Sequence, residues 1–101
     1  MAREMKKTEV QQEFISEVKS IVAYWNKLKI APKEKTAGVA FSILNLIDGY
    51  GDLPAFILAP DPHKDDKEYN KSRGQDYFPE NNNSKVNCDI AGGLHDLFYK
   101  K

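Results

Sequence analysis

A single cysteine, Cys88, in 101 residues excludes an internal disulfide. The chain has no CxxC pair, no HExxH, no D-x-D-x-D-G loop and no glycine-rich phosphate loop of recognised spacing, so the usual zinc, calcium and nucleotide signatures are missing. Net charge is missing too, since 15 Lys and Arg are matched by 15 Asp and Glu. Small duplex-binding domains draw affinity from phosphate neutralisation and need a basic excess, so nucleic acid is a poor candidate partner. No apolar run approaches the roughly 20 residues that cross a bilayer. The opening MAREMKKTEVQQ is charged with no apolar run behind it. No signal peptide is therefore expected and, with the lone thiol, a reducing, cytoplasmic location is. On that reading the Asn82-Asn83-Ser84 glycosylation pattern carries no weight.

What is present is one concentrated apolar stretch. Between Lys35 and Asp48 there is no charged residue, and Ala37, Val39, Ala40, Phe41, Ile43, Leu44, Leu46 and Ile47 cover every face of a helix. A helix apolar all round is expected to be buried, so 36–60 reads as the central core helix, a turn and a buried strand. A chain of this length makes one domain, 1–101, with 1–7 frayed and 61–85 polar and loop-rich.

Ahead of that helix, Val10, Phe14, Ile15, Val18, Ile21, Val22, Trp25 and Leu28 recur at helical spacing, predicting a first helix from Thr8 to about Lys29. Thr8 is the expected N-cap, with Gln11 completing a capping box. Ile30-Ala31-Pro32 breaks it, and Pro32 with Glu34 opens the second helix. Gly38 costs about 1 kcal/mol in a helix interior, which points to close approach by helix 1. Gly49 or Gly51 supplies the left-handed stop. The two helices are expected to form an antiparallel hairpin.

Leu53–Ala59 reads as a strand, at an edge because of Pro54, and Lys85–Asp89 as its partner. Between them, Asp61–Gly74 has the caps of a short surface helix but only Tyr69 as an apolar face, and Gln75–Ser84 reads as loop. Asp89 is the expected N-cap of a last helix, Ile90–Lys100, in which Gly92-Gly93 is anomalous. The fold class is thus α+β, mostly helical: a helix hairpin, a two-stranded ribbon and a C-terminal helix.

Chemistry-bearing residues gather in two places. His63 and Asp65, with His95 and Asp96, form a candidate His/carboxylate metal site if the last helix lies against the 61–74 segment. The plainer reading makes the aspartates caps and solvated charges. Cys88 beside a strand reads as a small buried hydrophobe rather than a nucleophile. Tyr69, Tyr77, Phe78 and Tyr99 sit in segments too polar to make a core alone. Exposed, they would anchor a protein interface; otherwise they cover the hairpin.

PHKDDKEYNKSRGQDYFPE followed by CDIAGGLHDLFYK resembles a set of small uncharacterised bacterial proteins. These carry a Pro-His-x-Asp-Asp-Lys-Glu-Tyr segment, then Gly and an aromatic-Pro pair, and end in a Leu-His-acid-aromatic-Tyr-Lys helix. The resemblance covers roughly 35–100 and implies a shared fold but no activity. It singles out His63, Asp65, Asp66, Lys67, Glu68, Tyr69, His95 and Tyr99 for mutation. Together these features lead to a non-enzymatic cytoplasmic interaction module, with a protein partner or a second copy paired through helix 1. The alternative is a protein that binds a divalent metal, or a small metal-dependent hydrolase, using His63, Asp65, His95 and Asp96. Otherwise no cofactor is implied.

Overall fold

Helices begin where the chain can satisfy its first free amides. In the computed structural model, which describes residues 2–80 and 86–100, α1 runs Lys7–Asn26. Its start lies just ahead of Thr8, because Glu9 rather than Gln11 closes the first turn: the Lys6 backbone N–H donates to the Glu9 carboxylate at 2.9 Å. Arg3 grips that carboxylate from outside, Nη1 to Oε1 at 2.7 Å and Nη2 to Oε2 at 2.5 Å. α2 runs Pro32–Asp48, entered through Pro32 and ended by Gly49 in the left-handed region at φ 89°. α3 is Asp66–Ser72 and α4 is Leu94–Phe98.

Arg3 first, and the Lys6 amide second, hold the Glu9 carboxyl below its ordinary 4.5, lowered to about 2. A pKa depressed by folding stabilises fully above the ordinary carboxylate range and is lost as pH falls from about 4.5 towards 2. Both side chains meet solvent, so salt screens the effect. Carboxyl NMR should find Glu9 titrating near the low value, and Arg3→Ala should return it towards 4.5. A midpoint that does not move would remove this ion pair from the account.

The chain divides into two compact units, Met1–Phe56 with Asn87–Lys101, and Ile57–Val86. In the first, α1 is the organiser: it packs against both α2 and α4. The α1–α2 hairpin is sealed by the Trp25 ring lying against Gly38, where a Cβ would come within 2.5 Å of ring carbons. The indole N–H donates to the Ser42 hydroxyl at 2.9 Å, and the Lys35 ammonium donates to the Asn26 carbonyl at 2.8 Å. At the other end Phe56 stands edge-on to Phe14, centroids 5.1 Å apart, while its N–H donates to the Ile47 carbonyl at 2.8 Å. Gln11 is buried on α1, its amide donating to the Ile90 carbonyl at 2.9 Å and the Gly92 carbonyl at 3.1 Å. Lys19 adds a donor to the Lys100 carbonyl at 2.8 Å. The segment leading into α4 and the segment leaving it are thereby both tied to α1.

Several expectations are corrected here. No strand occurs among the described residues, so the α+β class and its two-stranded ribbon give way to a helical fold. Residues 53–60 contain no regular structure because Pro54 and Pro60 remove donors and the proposed partner cannot pair. Of that partner, Lys85 lies outside the described residues; the remainder turns sharply at Cys88, whose φ of 62° is left-handed. Cys88 is exposed, not buried. The last helix starts at Leu94 because Gly92 and Gly93 sit at φ 100° and 74°, outside helical space. Asp89 caps a turn instead, accepting the Ala91 N–H at 3.0 Å. α1 ends at Asn26, short of Lys29. α2 is not buried all round: Gly38 and Leu46 are, whereas Phe41 and Leu44 are 64% and 59% exposed. The cause is that α1 covers one side of it, and α1 rather than α2 is central to its unit. Among the described residues no helix is long and apolar enough to cross a membrane.

Candidate functional site

The second unit is built on the turn that starts α3. The His63 N–H donates to the Asp66 carboxylate at 2.9 Å, and the Asp66 N–H donates to the His63 carbonyl at 3.0 Å. The Asp65 N–H donates to His63 Nδ1 at 3.2 Å. Three of the chemistry-bearing residues are thus engaged in opening a helix. One ring nitrogen of His63 is thus already engaged by the backbone of its own turn. His63 Nδ1 also lies 3.6 Å from the Asp65 carboxylate, an ion pair only when the ring is protonated.

In the first unit, His95 Nε2 lies 3.5 Å from the Asp96 carboxylate, both side chains largely in solvent. The two proposed pairs fall in different units, and among the described residues no three His, Cys, Asp or Glu side chains converge as a metal site would require.

The aromatic residues present a different picture. Tyr69, Tyr77 and Phe78 are exposed, as is Tyr99 on the first unit. The guanidinium of Arg73 lies 5.5 Å from the Tyr69 ring centroid and donates to its hydroxyl at 3.3 Å. The Lys67 ammonium lies 5.6 Å from the Tyr77 ring centroid. Each such exposed pair is worth about 0.5–1 kcal/mol, enough to bias the rings towards one orientation without hiding them. Tyr99 is steadied by Phe98 edge-on, centroids 5.1 Å apart. Preset aromatic surface flanked by cations is the kind of surface that anchors protein interfaces.

The first unit adds an apolar groove of about 370 Å³ beside Trp25, lined by Val22, Pro32 and Val39 with the polar ends of Asn26, Lys35 and Thr36. The periodicity of α1 and α2 placed these residues near the helix junction but could not show a groove there. Nor did sequence reasoning find Gln11 as the link to the α4 segment. Its signal was a polar residue four positions before Ile15, on the apolar stripe of α1.

No family model, curated protein or solved structure matches the chain.

Proposed function

We propose that the chain is a non-enzymatic, cytoplasmic protein-interaction module whose recognition surface lies in the second unit. The observation that carries this reading is the exposure of Tyr69, Tyr77 and Phe78, two of them braced by Arg73 and Lys67. Hydrophobic cores place such rings inside, and a large aromatic surface left in water has its best use in being covered by a partner. Support also comes from the His63 imidazole and the Asp66 and Asp89 carboxylates, which are engaged with the backbone of their own turns.

The test is a two-site substitution. Tyr77→Ala with Phe78→Ala should leave the helical content unchanged, because neither ring is buried. Retention of a specific partner from lysate, scored by quantitative mass spectrometry against the unaltered chain, should drop tenfold or more, about the loss of one interface hot spot. Retention of the same proteins at the same level would sink the reading.

A further inference from the structure

The outer face of α2 is a stripe with a pattern of its own. Lys33, Ala37, Ala40, Phe41, Leu44 and Asp48 are all exposed. At the helical repeat of about 100° per residue they fall within an arc of roughly 100°, opposite the side that Trp25 and Ser42 join to α1. Reversing the stripe about the point between Ala40 and Phe41 maps it onto itself. Lys33 then meets Asp48, Ala37 meets Leu44 and Ala40 meets Phe41. Every large side chain faces a small one, and each charge faces its opposite.

The charges make the same point independently. Lys33 lies in the first turn of α2 and Asp48 is its last residue. Each therefore sits at the unfavourable end of its own helix dipole, a cation at the positive end and an anion at the negative one. Among the described residues, no ion pair within the chain relieves either. An antiparallel neighbour would bring the partner's α2 C-terminus to Lys33 and its N-terminus to Asp48, adding at each charge a dipole term of the opposite, favourable sign.

We infer that α2 is a homodimer interface: two copies of this chain pair antiparallel about a two-fold axis passing between Ala40 and Phe41. Such an interface is isologous, and the alanines let the helix axes approach to about 8–10 Å. The pairing differs from an association through α1, whose apolar stripe already packs against α2 and α4. It uses a different unit from the aromatic recognition surface, so the two readings fail separately.

Sedimentation velocity on the full chain over roughly 1 µM to 1 mM, the range in which a small interface dissociates, tests it. Expected is a shift from the 11.5 kDa monomer to twice that mass. Phe41→Glu and Leu44→Lys should each give monomer throughout, with helicity by circular dichroism unchanged. Lys33→Asp and Asp48→Lys should each weaken pairing about tenfold or more by setting like charges together at both ends, and the two combined should restore it. Tyr77→Ala with Phe78→Ala should leave the mass unchanged. A chain that stays monomeric over the whole range overturns the inference. So does a dimer that survives Phe41→Glu and Leu44→Lys, or single charge reversals that have no effect or are not rescued by the pair.

Discussion

Replacing Gly38 by alanine is expected to destabilise the protein, although alanine is the better helix former by about 1 kcal/mol. The added Cβ would lie 2.5 Å from Cδ2 and Cε3 of Trp25, far inside van der Waals contact. A flexible side-chain end would yield at small cost. The indole is rigid, and its N–H is tied by a hydrogen bond to Ser42 on the same helix as Gly38. Relief must then come from moving the two helices apart, an overpacking cost of about 1–3 kcal/mol that outweighs the propensity gain. Valine, with more bulk and no such gain, should do worse. For a chain of this size each kcal/mol lowers the melting temperature by about 4–8 °C. Gly51→Ala is the control, because the nearest atom to its added Cβ is 4.0 Å away. Trp25→Leu should cost stability alone yet reduce the penalty of Gly38→Ala when combined, the non-additivity of touching residues. A Gly38→Ala protein more stable than the parent would refute the close contact.

The second large effect is expected at Leu46, the most buried apolar side chain among the described residues at 3% exposure. Truncation to alanine should cost about 2–5 kcal/mol, through lost transfer free energy and the cavity left behind. That is a large share of the 5–15 kcal/mol typical of a domain, and Ile15, at 5% exposure, is the only other large apolar side chain buried among those described. Phe41→Ala on the same helix removes a bigger side chain, yet in dilute solution it should change stability by no more than about 0.5 kcal/mol, because Phe41 is in water. Equal losses at the two positions would mean that α2 is enclosed on both sides.

That contrast marks the limit of the sequence reading. Periodicity, Pro32 and Gly49 were enough to place α1, α2 and the hairpin, and the cost of Gly38 was enough to suggest its contact with helix 1. All of these are local signals. Burial of α2 is not local: an apolar residue has the same sequence signature whether its own chain or another copy covers it. The strand expected at 53–59 failed for a related reason. An apolar run with flanking prolines has strand character, but a strand needs a partner, and the left-handed backbone at Cys88 takes that away. Of the candidate site, residue types were legible and engagement was not. His63, Asp65 and Asp66 form a hydrogen-bonded turn ahead of α3 that no spacing rule identifies. Tyr69, Tyr77, Phe78 and Tyr99 were visible as aromatic residues in polar surroundings, and only coordinates could place them at the surface.

α1 organises its unit, whereas Tyr69, Tyr77 and Phe78 sit on segments with little burial. Native-state hydrogen exchange on the full chain, at a concentration low enough to keep it monomeric, tests this directly. The slowest amides should lie in α1, around Ile15 and Val22, with α2 next. The amides of α3 and residues 53–60 should exchange rapidly, apart from Phe56, which donates to Ile47. An alternating ladder of protected amides across 53–59, or protection in α3 equal to that of α1, would contradict the account.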